Sequence, residues 1–559
     1  LMRIPILIML IISDLRQNKE NMYRLFFLTA FFVVFLTGCG KDITLVHVND
    51  THSHLFGSEV HCRYKGDSYN FTSGGLDLIL QSVKDIRKDK SNVMFLHAGD
   101  LIQGTRYFRE FQGAADVEIM NEAHLDALSL GNHEFDKGSE FLHDLLVKAQ
   151  FPVVAANIEM DDDVHLKRIV KSYVVTGTWP FRNGVIGVVT PTTGEISSPG
   201  QGVRFTDPAE AVRKNIAELK KRRITRIFVL SHLGFEEDIK LAQNVEDIDI
   251  IIGGHSHTML GYTGIDCLNV SGDYPHIVKD PSGRNVLVVQ AWDHARAFGA
   301  LDIEFDLKGE IQNYNGKTVY PLRKEEKIPF QMMLSPFNEF SYVNVDEDIK
   351  EKFDNYEESV SKEFSRKIGS ISETLEHCWE KGSDIAPLVA EAILWKMNLE
   401  NRSVDVALQN AGGVRKSLKK GDVTFGEVAD TLPFFNNVML FKISGADLVS
   451  ALKNSVDNVF SGIHLGSFPY LAGMEFEITD RNVDNFKIIE NGIPKPVDPE
   501  RIYTVATDSY IAQGGNGYEI FGNIKEKEMT PFIVSDIFSE YIKEKKEICK
   551  PAKKHPAAE

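Results

Sequence analysis

The 559-residue chain is poor in cysteine, has no excess of positive charge and lacks a long uninterrupted apolar run. Its cysteines, Cys39, Cys62, Cys267, Cys378 and Cys549, are scattered and form no Cys-x-x-Cys pair. That excludes a structural zinc ribbon and leaves room for one disulfide without choosing its partners. The 62 Lys and Arg against 80 Asp and Glu give a formal net charge of -18. Coating a nucleic acid needs a basic face, so no nucleic-acid partner is expected. A small anionic substrate remains compatible, because bound metal ions can reverse the local potential inside an acidic protein. There are no short internal repeats and no long low-complexity segment. The apolar, aromatic and charged fractions are those of a globular protein long enough for two or three domains.

The apolar run Leu25–Leu36 is broken only by Thr29 and preceded by Arg24. It is too short for a comfortable transmembrane helix and has the length of a signal-peptide core. It ends in Leu36-Thr37-Gly38-Cys39, which resembles the bacterial lipobox, whose cysteine becomes the lipidated first residue of the mature chain. Met22-Tyr23-Arg24 makes a normal start for such a signal, whereas residues 1–21 fit it poorly. The resemblance implies a bacterial envelope protein anchored at Cys39 to the outer membrane or facing the cell surface or periplasm. Lys41 stands two residues after the cysteine, and no retention aspartate follows it.

From Ile43 to about Asp306, short apolar runs alternate with amphipathic stretches. The strands expected are Ile43–Val48, Val93–His97, Ala127–Leu130, Val153–Ala156, Ile227–Ser231, Ile248–Ile252 and Val286–Gln290. Being apolar throughout, they suit strands buried on both faces under helices. Asp116–His124 and Ala209–Lys220 read as two of those helices. Asp346–Lys367 is dominated by charge and reads as a solvated helix joining two domains. A second mixed region follows, with strands Val404–Gln409, Val438–Ile443 and Arg501–Ala506. The divisions expected are a signal segment 1–38, a first domain 41–340, a linker helix 341–367, a second domain 368–545 and a frayed tail 546–559.

Ligand-type residues gather where strands end: Asn49-Asp50-Thr51-His52-Ser53-His54, Gly99-Asp100, Gly131-Asn132-His133-Glu134-Phe135-Asp136, Ser231-His232-Leu233-Gly234 and Gly253-Gly254-His255-Ser256-His257. Strand ends converge on one sheet edge, where α/β proteins place their sites. Carboxylate and imidazole together suit Zn, Mn, Fe or Co. His47, His61, His97 and His124 read as ordinary structural residues, and His54 as a hydrogen-bonding neighbour of a ligand.

These segments resemble the calcineurin-like metallophosphoesterases, specifically the 5'-nucleotidase branch, over about Ile43 to Ile542. The resemblance implies an N-terminal four-layer αββα domain, a helical linker and a C-terminal α+β substrate-binding domain. It implies two divalent ions, one on Asp50, His52, Asp100 and His257, the other on Asp100, Asn132, His232 and His255. It implies hydrolysis of 5'-nucleotides, with cyclic nucleotides and nucleotide-sugar pyrophosphates as further substrates, by metal-activated hydroxide attacking phosphorus. His133 then donates a proton or hydrogen bond, oriented by Asp136.

In the second region, Asn410-Ala411-Gly412-Gly413-Val414-Arg415 resembles the family's substrate-binding turn, with Arg415 for phosphate and Asn410 for ribose or phosphate. Phe434 in Pro433-Phe434-Phe435-Asn436-Asn437 and Tyr510 in Tyr510–Tyr518 resemble the two walls of a base pocket. Stacking contributes roughly 1–3 kcal/mol per base. Asn436 and Asn516 complete the expected substrate set. Asn516 and Tyr510 stand where the family often has Asp and Phe. Trp379 and Ala386-Pro387 depart from a segment that usually carries Arg and Gly-Asn, leaving Lys381 as the local positive charge. These departures loosen the expectation of strict nucleoside-monophosphate specificity. The competing readings are a non-nucleotide hydrolase of the sulfur-oxidation type and a non-catalytic nucleotide-binding lipoprotein. Relatives rotate one domain against the other, which places a hinge at Lys367–Ser370.

Overall fold

The computed structural model describes residues 42–64, 67–261, 270–328, 339–378, 382–434, 436–479 and 481–551. The signal segment, Cys39, Trp379 and Lys381 lie outside the described residues. Two sheets pack face to face in the N-terminal half. One has eight strands in the order Phe340–Val343, Ile311–Arg323, Phe298–Phe305, Asp42–Val48, Val93–His97, Ala127–Ser129, Val153–Val154, Val170–Lys171. The other has six, in the order His276–Lys279, Asn285–Val289, Ile250–Ile252, Arg226–His232, Asn183–Val189, Tyr173–Thr176.

Strand alternation builds the layers. Leu45, Leu96, Phe228, Leu230, Ile252 and Val289 meet between the sheets. Their chain neighbours face outward. Val46, Val48 and Phe95 pack under the helices Leu76–Asp89 and Ala114–Glu122. Val229, Ile251 and Val288 pack under Pro208–Lys221 and Phe235–Asn244. Both faces of these central strands are therefore covered, and this is why their runs are apolar throughout rather than alternating. The result is a four-layer αββα domain.

The ligand-bearing strands are mutually parallel: Asp42–Val48 with Val93–His97, Val93–His97 with Ala127–Ser129, and Arg226–His232 with Ile250–Ile252. Their C-terminal ends open on one edge. Asn183–Val189, absent from the expected strands, lies parallel to Arg226–His232. Its sequence Asn-Gly-Val-Ile-Gly-Val-Val breaks the apolar run with glycine. Gly187 is required: a Cβ there would stand 2.2 Å from the Val154 carbonyl oxygen of the facing sheet.

The charged helix is Glu347–Phe364, and it corrects the solvated reading. Ile349, Phe353, Val360 and Phe364 are buried along one side. Ion pairs beside this stripe tie it to the first domain, with Lys352 Nζ 2.9 Å from Glu118 and 2.7 Å from Glu122, and Arg106 Nη2 2.8 Å from Glu357. Lys367–Ile371, expected to hold a hinge, is a strand paired with Gly421–Thr424 and with Glu547–Ile548. The tail is thus not wholly frayed, because Ile548 is buried in that pairing.

The C-terminal region centres on a five-stranded sheet in the order Pro469–Ala472, Val406–Asn410, Ile502–Asp508, Asn437–Ser444, Lys527–Ile533. Helix Ala386–Leu399 packs on it through Ile393 and Met397, and Gly445–Phe460 through Leu448 and Leu452. With the three-stranded sheet Met474–Thr479, Asn482–Glu490, Ile493–Pro496, this makes an α+β unit.

Candidate metal centre and substrate cavity

At the strand ends the backbone turns sharply. Asp50 (φ 48), His52 (φ 47), Asp100 (φ 55), His255 (φ 73) and His257 (φ 53) all occupy the left-handed region. Each such residue costs on the order of 1–2 kcal/mol, so its surroundings must hold it. Asp50 N donates to Gly99 O at 3.0 Å and His52 N to Asp100 O at 3.1 Å. The buried Glu134 carboxylate accepts from Asp100 N at 2.9 Å, Leu101 N at 2.8 Å and Gly131 N at 2.6 Å. Glu134 stood inside the expected motif without a role; it locks the Asp100 turn to the Asn132 turn. A Cβ on Gly131 would lie 2.2 Å from Asp100 Oδ1, so glycine is what lets these turns approach.

Two groups of ligand atoms result, Asp50 with His52 and His257, and Asp100 with His232 and His255, each within 4.8 Å of one another. Asp100 Oδ2 links them, 3.1 Å from His232 Nε2 and 3.8 Å from His52 Nε2. Asn132 Oδ1 lies 2.9 Å from His255 Nδ1 and 3.3 Å from His232 Nε2. His52 Nε2 and His257 Nε2 face each other at 3.3 Å, and His257 Nε2 is 3.6 Å from Asp50 Oδ1. All seven residues expected as ligands therefore come together.

The electrostatics fit a cation. Burial holds the His52 imidazole well below its ordinary range, and burial with the neighbouring His232 holds His255 at about 4. Each of these neutral rings therefore has one nitrogen lone pair to offer. Burial opposes the charge on Asp100, but His232 and His133 outweigh it and keep this carboxylate well below the usual range. Burial likewise opposes a charge on His232, yet Asp100 and Asp50 raise it to about 9. His52 and His255 as neutral imidazoles, the ionised Asp100 carboxylate and the Asn132 amide oxygen belong to the donor set of a borderline divalent ion.

His133 Nδ1 is 2.7 Å from Asp136 Oδ2. Burial works against its charge, but Asp136 and Asp100 raise it to about 10. Asp136 is itself gripped by Gln103 Nε2 at 3.0 Å and Ser197 Oγ at 2.8 Å. Neither grip was visible in the sequence, since both residues sit far from the motif. His54 Nδ1 lies 3.0 Å from His52 O, a bond to the backbone of a ligand-type residue. His97 is buried against Thr51 Oγ1 at 2.8 Å.

A cavity of about 690 Å³ runs from this edge to the C-terminal unit, with Asn132, His133 and His255 at one end and Asn410, Arg415, Phe434, Asn436, Tyr510 and Asn516 at the other. All six residues expected to bind substrate line it. The Arg415 guanidinium lies 5.4 Å from the Phe434 ring centre, and Tyr510 OH donates to Asn516 Oδ1 at 3.0 Å. Asn410 Nδ2 donates to Gly466 O at 3.2 Å and Asn436 Nδ2 to Asp508 Oδ1 at 3.3 Å. Ile463, His464 and Leu465 also line it and were not singled out by sequence. A second cavity of about 920 Å³ shares His133, Arg415 and Phe434 and extends past His52, His257 and His294.

A two-sheet αββα domain with paired carboxylate–imidazole clusters at its strand ends defines a metal-dependent phosphoesterase. Residues 43–259 match the calcineurin-like phosphoesterase family, and residues 365–523 match the 5'-nucleotidase C-terminal domain. The chain is 31% identical over 535 residues to a probable 5'-nucleotidase of Treponema pallidum (strain Nichols), covering 88% of this chain and 90% of that protein. Its fold superposes on the 5'-nucleotidase precursor of Thermus thermophilus with a TM-score of 0.71 and 33% identity, over 92% of this chain and 98% of the other. The NAD nucleotidase of Haemophilus influenzae gives a TM-score of 0.63 and 27% identity, over 92% and 98%. The chain belongs to the 5'-nucleotidase family of metal-dependent phosphoric ester hydrolases.

Proposed function

We propose that this chain is an exported, lipid-anchored hydrolase of 5'-nucleotides that uses two divalent ions of Zn, Mn, Co or Fe. The observation that carries the reading is the single cavity joining Asn132, His133 and His255 to Phe434 and Tyr510. One ion would be held by Asp50, His52, Asp100 and His257, the other by Asp100, Asn132, His232 and His255. Bound there, the ions supply Lewis acidity toward phosphate oxygens and a water acidified for in-line attack. Arg415 pairs with phosphate oxygens, and its planar fork suits two of them at once. Phe434 and Tyr510 hold the base between their faces, with Asn410, Asn436 and Asn516 serving the polar edges of sugar and base. His133 has its Nδ1 engaged by Asp136, so its Nε2 carries the proton toward the leaving oxygen. Gln103 and Ser197 hold Asp136 in place for that transfer.

The 920 Å³ cavity beyond His133 and Arg415 favours a second substrate set, nucleotides extended by a phosphoanhydride such as nucleotide sugars. The relative named NAD nucleotidase is consistent with it. Division of labour follows the chain: 41–340 holds the ions, 341–367 spaces, and 368–545 selects substrate. Export rests on the run Leu25–Leu36, and anchoring at the envelope rests on Cys39. Among the described residues no helix is long and apolar enough to cross a membrane. The test is phosphate release from a panel of 5'-nucleotides, cyclic nucleotides, nucleotide sugars and non-nucleotide esters, after chelation and with Mn, Zn or Co restored. Release confined to nucleotides and dependent on added metal supports the reading. Equal release from non-nucleotide esters, or binding of nucleotides without any release, overturns it.

A further inference from the structure

The loop after strand Asn285–Val289 carries a carboxylate that lies outside the family motifs. This strand is the parallel neighbour of Ile250–Ile252, so its end adjoins the turn bearing His255 and His257. The loop is fixed at several points. Ala291 N donates to Asn49 Oδ1 at 2.8 Å, Trp292 N to Thr258 O at 3.1 Å, and His294 N to Asp50 O at 2.6 Å. Trp292 (φ 62), His294 (φ 51) and Ala295 (φ 54) are all left-handed, a backbone run that only such anchoring sustains. Asp293 is thereby buried beneath the metal-ligand turn.

We propose that Asp293 is a positioning residue that orients His257 as a metal ligand and tightens the ion bound there. The inference rests on the assignment of His257 as a ligand. Asp293 Oδ2 is 2.9 Å from His257 Nδ1, while His257 Nε2 looks the other way, toward Asp50 Oδ1 at 3.6 Å and His52 Nε2 at 3.3 Å. A neutral imidazole has one N–H and one lone pair. With the N–H given to Asp293, the lone pair is left on Nε2, facing the cluster. The carboxylate also makes that nitrogen more basic. Asp293 cannot swing away, because its Oδ1 accepts from Arg296 Nε at 2.9 Å and from Arg296 Nη2. Arg296 in turn lies over the Trp292 ring, 3.7 Å from its centre. His232 is oriented differently, by its Nδ1 against the neutral Ala98 carbonyl at 2.8 Å. The two ions are therefore supported unequally, and the one on Asp50, His52 and His257 depends on a buried charge.

His257, Asp293 and His294 also bring ligand-type atoms within 4.8 Å of one another. The Arg296 guanidinium already satisfies Asp293 there, and a further cation would sit against it. Asp293 therefore acts behind His257 and not as a ligand.

The test compares Asp293→Ala, Asp293→Asn and His257→Ala with the parent chain, each first shown to keep its circular dichroism spectrum after chelation. Cobalt is titrated in against a competing chelator, reading both binding constants and the visible absorption of the bound ion. Asp293→Ala should weaken one constant by about 10–100-fold, leave the other unchanged, and shift the visible bands; Asp293→Asn should lie between it and the parent. Excess cobalt should restore full loading. Unchanged constants and spectrum in Asp293→Ala, beside loss of one ion in His257→Ala, overturn the inference alone. A third equivalent in the parent chain that disappears in Asp293→Ala also overturns it, by making Asp293 a ligand. Full loading of His257→Ala would instead overturn the ligand assignment, and the inference with it.

Discussion

In the proposed mechanism, His133 is the residue on which chemistry and metal binding separate most cleanly. It touches Asp100 only through its backbone N–H, at 2.9 Å from Oδ1, and its ring is engaged by Asp136. His133→Asn should therefore keep its metal content while kcat falls by roughly 10²–10⁴-fold, the range for a positioned acid or base. Metal analysis beside steady-state kinetics checks this; a parallel loss of metal would make the residue structural. Such residues were legible because each stands at a strand end beside glycine, where sequence order nearly gives spatial order. Glu134, Gln103, Ser197 and Asp293 were not. They act across long gaps in the chain, Ser197 on Asp136 and Asp293 on His257, and no local pattern announces a through-space partner.

Among the elements, the strands were legible for a physical reason: a strand covered on both faces must be apolar at every position. Asn183–Val189 escaped because two glycines interrupt it, and the structure uses one of them for close sheet approach. Gly187→Ala should destabilise the fold by about 1–3 kcal/mol, the usual cost of overpacking a tight core. Chemical denaturation measures it, and an unchanged midpoint would contradict the packing described. Helix Ala114–Glu122 carries the buried Asp116, which accepts from Ser53 Oγ at 3.0 Å. Burial pushes its carboxyl up to about 8. A folded-state value above the unfolded one means its contribution is complete below the unfolded value and is lost as pH rises through about 8. The melting temperature of the parent should thus fall more steeply than that of Asp116→Asn between neutral and mildly alkaline pH. Parallel curves would show that Asp116 does not titrate there.

On the scale of the whole molecule, the contacts of the C-terminal unit with the first domain include polar ones and the Arg109 guanidinium 4.1 Å over the Phe425 ring. Arg109 pairs with Asp536 and donates to Ser535 Oγ at 3.1 Å, and Gln513 Nε2 donates to Ser198 Oγ at 3.2 Å. The last of these closes the substrate cavity beside Ser197, which holds Asp136. The sequence marked the charged helix and two units. It did not show the apolar stripe that packs this helix against both units, Phe353 on Phe56 and Phe364 on Phe425, because Ile349, Phe353, Val360 and Phe364 are diluted among charges. Nor did it show that Lys367–Ile371 is paired on both sides and thus poorly placed to flex. If the cavity must open for substrate exchange, joining Ser198→Cys to Gln513→Cys with a short cleavable linker should slow turnover, with recovery on cleavage. Full activity in the verified cross-linked chain would mean that substrate reaches the site without domain movement.

The central claim is the proposal that a two-ion cluster bridged by Asp100 works with a nucleotide pocket, the two meeting where Asn132, His133 and His255 line the cavity that reaches Phe434 and Tyr510. The most direct measurement is a titration of the chelated protein with manganese or zinc, following metal bound per chain and phosphate released from a 5'-nucleotide together. The account predicts no release without metal, full release only as two ions per chain are filled, and loss of both ions and of turnover in Asp100→Asn. Full release at a single ion, or two tightly held ions and normal turnover in Asp100→Asn, would contradict it.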